Sequence, residues 1–194
     1  MLAAVGCGAV SDERVTFADA RGPIGKWQFS VDASDEPARD AGAPQDGGSL
    51  EEASAVTSLA FEVTTKPIGG KYQPKNVGAI WVADASGKLV KTLEVWAATR
   101  VRYLSAYNKT RAGMSVDATS RATLPNHRVH RVTWDLTDRS GAPVPKGEYT
   151  LSLELTDADA AGKTTSIDFD TGGSASTRMP PDSACFTEMR LELK

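Results

Sequence analysis

Cysteine is the scarcest reactive residue in this chain, with Cys7 and Cys185 its only two among 194 residues. One pair cannot build a multi-disulfide scaffold, and there are no paired Cys-x-x-Cys knuckles to hold a structural zinc. Histidine is as rare, His127 and His130 alone, so imidazole chemistry is confined to one short stretch. No apolar run approaches the ~20 residues of a membrane-spanning helix. No Gly-rich loop follows a strand and opens a helix, which leaves nucleotide binding without support. Serines are plentiful, but none sits in a nucleophile-elbow pattern, and no catalytic residues are assigned. The net charge of −3 decides nothing about partners, and no nucleic acid is expected.

What is present suits one packed domain with an appendage. The hydrophobic fraction of 40% is ordinary, and domains commonly run ~100–150 residues. Residues 8–52 hold little that forms a core beyond one short strand at Trp27–Val31. Asp32 to Glu52 is rich in Asp, Glu, Ala, Gly and Pro and poor in branched or aromatic residues. Such a segment buries too little surface to offset its chain entropy, so it reads as a flexible acidic linker. The foldable domain is expected at 53–194.

Within that domain the hydrophobic period is two. Thr57, Leu59, Phe61 and Val63 alternate with small or polar neighbours. Asn76–Ala83 and Lys88–Val95 flank Asp84-Ala85-Ser86-Gly87, an Asp-x-x-Gly turn, and predict a hairpin. Apolar residues on both faces of the first of these strands place it centrally. His130, Val132, Trp134 and Leu136 share one face. Asp138-Arg139-Ser140-Gly141 turns the chain, Pro143 and Pro145 stiffen it, and Tyr149, Leu151, Leu153 and Leu155 alternate again. Asp159-Ala160-Ala161-Gly162 predicts a third such turn before Thr165–Phe169. Residues 171–183 form a Gly/Ser/Pro-rich loop, and Phe186–Leu193 is a last strand. Between Glu94 and Tyr107 the period lengthens, which predicts one short helical insertion followed by a polar loop over 108–127. The expected fold is all-β: an Ig-like antiparallel β-sandwich of about seven strands.

Several stretches resemble known families. Trp134–Tyr149, WDLTDRSGAPVPKGEY, looks like the turn motif in the Ig-like domain of the flagellar hook-capping protein. The longer resemblance covers about residues 55–170. It runs through KYQPKNVGAIWVADASGKLVKTLEVW, the Val116–Thr123 loop, the His130-x-Val132-x-Trp134-Asp135 strand and the Gly141–Leu151 turn. It is to a bacterial family of predicted periplasmic proteins defined by a domain of unknown function. The resemblance implies an exported Ig-like sandwich and carries no activity. Ala4-Val5-Gly6-Cys7 resembles a lipobox, which implies lipidation at Cys7 and a longer precursor upstream of Met1. The other reading of that end leaves Cys7 unmodified and able to pair with Cys185.

Three candidate sites follow. Asp117-Ala118-Thr119-Ser120-Arg121-Ala122-Thr123 resembles the Asp-x-x-Ser/Thr-Gly-Ala-Thr signature on which bacterial flavin transferases attach FMN through a phosphoester. Thr123 is then the acceptor and Asp117 a motif residue, with Arg121 standing where the signature has Gly. The bland reading is a polar loop whose hydroxyls satisfy its own backbone. His127 and His130 are candidate metal ligands, given a bend and a third ligand such as Asp117 or Asp135. Arg100, Arg102, Tyr103, Tyr107, Lys109, Arg111, Arg121, Arg128 and Arg131, against the single acid Asp117, are a candidate surface for an envelope protein or an anionic surface. The function expected is a non-catalytic binding or accessory role in the periplasm or on the outer membrane, with no cofactor and membrane contact only through a lipid anchor. The alternative is a periplasmic redox accessory protein carrying FMN at Thr123 or a metal near His127 and His130.

Overall fold

The computed structural model describes residues 55–118 and 122–194; Cys7, the strand expected at Trp27–Val31, the acidic linker and Arg121 lie outside the described residues. Eight strands are found among them: β1 (Leu59–Thr65), β2 (Val77–Asp84), β3 (Leu89–Val95), β4 (Val129–Trp134), β5 (Glu148–Thr156), β6 (Lys163–Asp170), β7 (Ser176–Arg178) and β8 (Phe186–Leu193). They form two four-stranded antiparallel sheets, ordered β4-β1-β8-β7 and β3-β2-β5-β6. The fold is an all-β sandwich, as the alternating pattern predicts.

The inward residues of each strand meet between the sheets. Leu59, Phe61 and Val63 of β1 face Ile80 and Val82 of β2, with Leu151, Leu153 and Leu155 of β5 in the same cluster. Trp134 closes one end of it, its ring edge-on to Tyr149 and Phe169 at centroid distances of 5.3 and 6.0 Å. Full burial of each such side chain contributes roughly 1.5–3 kcal/mol.

β2 is buried on both faces for a reason the sequence states but does not explain. Val77, Ala79 and Trp81 point outward into a second cluster with Leu89, Val95, Ala97, Leu104 and Tyr107. This cover is built by a 3-10 turn (Ala98–Tyr103) and the helix α1 (Ser105–Arg111). The expected single helix from Glu94 is therefore corrected: Leu93 and Val95 belong to β3, and the helical part breaks at Leu104 into two short pieces. Glu154 of β5 fastens α1 to the sheet. Its Oε2 accepts the Tyr107 N–H at 2.9 Å and its Oε1 accepts the Ser105 hydroxyl at 3.3 Å. A carboxylate facing the exposed amides of a helix start is electrostatically favoured, which accounts for a fully buried Glu on a strand.

Two further differences have simple causes. β7 is three residues inside the Gly/Ser/Pro-rich stretch, too short to show a period. The segment from Trp134 to Leu155 connects the two sheets: β4 pairs with β1 and β5 with β2, so the chain crosses from one to the other. Its turn is as the sequence predicts. Asp138 Oδ1 accepts the Ser140 N–H at 2.7 Å and the Ala142 N–H at 3.0 Å, and Gly141 takes a φ of +85°. Asp84 does the same to Ser86 and Lys88.

Gly78 is required by close approach. A Cβ there would collide with the Trp96 ring and lie 2.6 Å from the Glu154 carbonyl oxygen. Gly78→Ala is expected to destabilise the domain by roughly 1–3 kcal/mol or more through overpacking, read as a lower urea midpoint. An unchanged midpoint would show that the Trp96 pocket has slack.

Candidate functional site

The loops at one end of the sandwich are tied together by polar residues. Asn76 and Leu124 exchange backbone hydrogen bonds, each at 3.0 Å, joining the β1–β2 loop to the segment before β4. Asp157, just after β5, pins the β1–β2 loop at two places. Its Oδ2 accepts the Ile68 N–H at 3.0 Å and its carbonyl oxygen accepts the Tyr72 N–H at 2.9 Å. Gly70 lies against Asp157 so closely that no Cβ would fit.

Between these loops and the 3-10 turn lies a cleft of about 440 Å³. Its buried floor is Asn76, Val77, Thr156 and Asp157; Tyr72, Lys75, Arg100, Thr123, Pro125 and Ala158 form the more exposed walls. Arg100 Nη1 donates to Thr123 Oγ1 at 3.2 Å. Asp159 departs from its expected turn role. Its carboxylate accepts a short hydrogen bond from the Tyr72 hydroxyl at the cleft mouth. That bond raises the Tyr72 phenol above its ordinary value and lowers the Asp159 carboxyl.

Beneath the floor is a buried polar layer. Trp96 Nε1 donates to Asn76 Oδ1 at 2.9 Å, and its indole stacks on the His130 ring at 4.1 Å. His130 Nδ1 lies 2.8 Å from Glu94 Oε2, while Arg128 Nη2 donates to Glu94 Oε1 at 2.9 Å. His127 has both ring nitrogens buried without a hydrogen-bond partner among the described residues, and Asp157 Oδ1 likewise. Cys185 is fully buried and unpaired among the described residues, its thiol pushed up to about 11 by burial.

The structure separates several residues that the sequence grouped. Thr123 lines the cleft, but Asp117 fastens the loop to β3, accepting the Thr92 N–H at 3.2 Å with Arg139 3.5 Å away. Of the basic set, Tyr107 is removed from any surface: its ring is fully buried against Trp81, with its hydroxyl 2.9 Å from Thr92 Oγ1. Arg131 pairs with Glu62 and Arg128 with Glu94, acids from other strands. Arg111 is held by Asn108 and Met114 at the end of α1, where Lys109 also lies. Arg100, Arg102 and Tyr103 stay together on the 3-10 turn, with Arg102 over the Tyr103 ring at 4.8 Å. His127 is in the loop and His130 in β4, as expected. No group of three or more His, Cys, Asp or Glu side chains is placed to hold a metal among the described residues, and Asp135, named as a third ligand, bonds Thr137 instead.

The whole cleft falls inside a stretch matched by a family model. The family model described as a predicted periplasmic protein, DUF2271, matches residues 59–183. The chain belongs to this family. Its description names a compartment and no activity. No curated protein and no solved structure matches the chain.

Tyr72, Lys75, Asp157 and Asp159 were not legible as site residues. For Asp159 a signal existed. Asp84 and Asp138 each have Ser two residues on, which their carboxylates bind, whereas Asp159 is followed by Ala160-Ala161 and is free to turn elsewhere.

Burial holds the His127 imidazole below its ordinary 6.5. Below that pH the unfolded chain binds the proton that the folded chain refuses. Stability should therefore fall as pH drops through 6.5 and level off below the folded value. His127→Gln is expected to remove this share of the pH slope in urea midpoints taken between about pH 8 and about pH 5. An unaltered slope would place the titration elsewhere.

Proposed function

We propose that this chain is an exported envelope protein that holds a phosphate-bearing group in the end cleft, in a binding or accessory role rather than a catalytic one. The observation that carries this reading is the Arg100–Thr123 pair at the cleft wall, with Lys75 lining the same space. A guanidinium offers a planar fork of donors suited to phosphate, and Lys75 adds a point charge. Lipid anchoring at Cys7 belongs to the same reading, supported by Ala4-Val5-Gly6-Cys7 and by the family's periplasmic description.

One observation favours a second reading, in which Thr123 carries FMN as a phosphoester. Thr123 is the last residue of the flavin-transferase-like signature, and its hydroxyl already sits beside the guanidinium that would neutralise such a phosphate. Asp117, by holding the loop on β3, would fix the approach of the acceptor. A metal near His127 and His130 gains no comparable support.

Production of the exported protein together with a flavin transferase separates the two. Covalent FMN predicts added mass and visible absorption that Thr123→Ala abolishes and Thr123→Ser retains. Protein of unaltered mass that still binds free phosphate esters, with affinity lost by about tenfold in Arg100→Ala, supports the first reading. Neither added mass nor binding would refute both. For the anchor, metabolic labelling with palmitate should mark the precursor and not its Cys7→Ser variant.

A further inference from the structure

The cleft floor is rich in polar residues, yet most of their polar atoms are engaged within the protein. Asn76 uses Oδ1 for the Trp96 indole and Nδ2 for the Pro74 carbonyl oxygen at 3.0 Å. Thr156 donates its hydroxyl toward the carbonyl oxygens of Ala158 and Ala160 at 3.2 and 3.0 Å, and the same oxygen accepts the Ala158 N–H. Asp157 spends Oδ2 on Ile68, and its Oδ1 is packed under Gly70. What remains for an occupant is carbon: the edges of these side chains, Val77, Ala158, the Pro125 ring and the Tyr72 ring.

The cations lie on the walls, while the Asp157 carboxylate is packed under Gly70 in the floor and the Asp159 carboxylate stands at the mouth on the Tyr72 hydroxyl. Among the described residues neither Lys75 nor Arg100 makes an ion pair, and Arg100 donates to the neutral Thr123 hydroxyl. The cleft thus joins an apolar interior, walled on one side by an aromatic ring, to two cations at its edge. A sugar phosphate or polysaccharide without an aromatic ring would set only hydroxyl-bearing carbons against this largely apolar floor and leave the Tyr72 ring unused. A long anionic polymer needs a charged track rather than a pocket of this volume.

We infer that the occupant is a planar aromatic phosphate monoester, its ring held against Tyr72 and Pro125 over the apolar floor and its phosphate held by Arg100 and Lys75. This rests on the phosphate reading of the cleft and adds the chemistry of the rest of the ligand. Base–aromatic stacking raises affinity by roughly tenfold or more per ring, a scale that titration resolves.

The test uses the full chain without any transferase and four probes: FMN, riboflavin, AMP and inorganic phosphate, by titration calorimetry. FMN and AMP are expected to bind at least about tenfold more tightly than either riboflavin or inorganic phosphate. Tyr72→Leu should remove the advantage of FMN over inorganic phosphate and leave phosphate binding unaltered. Arg100→Ala should weaken FMN and phosphate alike. Equal binding of FMN and inorganic phosphate would overturn the ring and leave the phosphate site standing. Riboflavin as tight as FMN, or no binding by any phosphate-bearing probe, would overturn the phosphate reading itself. The urea midpoint of each variant guards against loss of fold.

Discussion

Trp96 is the side chain through which the sheets and the end cleft are mechanically joined. It follows β3, lies fully buried, stacks on His130 from β4 in the opposite sheet and donates its indole N–H to Asn76 at the start of β2. Gly78 leaves the space its ring occupies. A buried acceptor that loses its donor costs about 1–3 kcal/mol, so Trp96 and Asn76 constrain each other. Because Asn76 also bonds Leu124 through its backbone and Pro74 through its amide, the indole sets the height of the cleft floor and the path of both loops beside it.

From that constraint the division of labour in the domain follows. The sheets supply rigidity through alternating apolar strands, and the helical cover keeps the outer face of β2 dry. The loops at one end line the candidate cleft, the place where binding sites are commonly raised on a rigid scaffold. Polar residues in this end layer are consumed by architecture: Asp157 holds the β1–β2 loop, Glu154 docks α1, and Glu94 joins His130 to Arg128. Arg100 and Lys75 differ because no acid forms an ion pair with either of them among the described residues, and both lie on the cleft.

The sandwich was legible because its signals are local. Alternation over Tyr149–Leu155, the Asp-Ser-Gly turns at Asp84 and Asp138, and double-sided burial of β2 each follow from residues a few positions apart. The crossing between β4 and β5 was hidden because the same turn chemistry serves a hairpin and a sheet-to-sheet connection. The site was half legible. Thr123 and Arg100 were marked by a motif and by charge, but their contact joins residues from two separate loops, which no spacing rule anticipates. Tyr107 was misassigned as surface because a Tyr between Arg and Lys reads as interfacial; its ring packs on Trp81 of β2 and its hydroxyl meets Thr92 of β3, partners distant in sequence. Tyr72 and Asp159 meet across the sandwich end, a pairing set wholly by topology.

The cleft between Tyr72, Arg100, Thr123 and Asp157 is the proposed ligand site of this predicted periplasmic protein. Hydrogen-exchange mass spectrometry of the full chain, with and without a saturating phosphate-bearing probe such as FMN, tests it most directly. Slowed exchange is expected, confined to residues 68–77, 98–103, 122–125 and 156–159. Protection centred instead on the polar groove between β3 and β4, around Lys91, Asp117 and Arg131, or no protection anywhere, would contradict it.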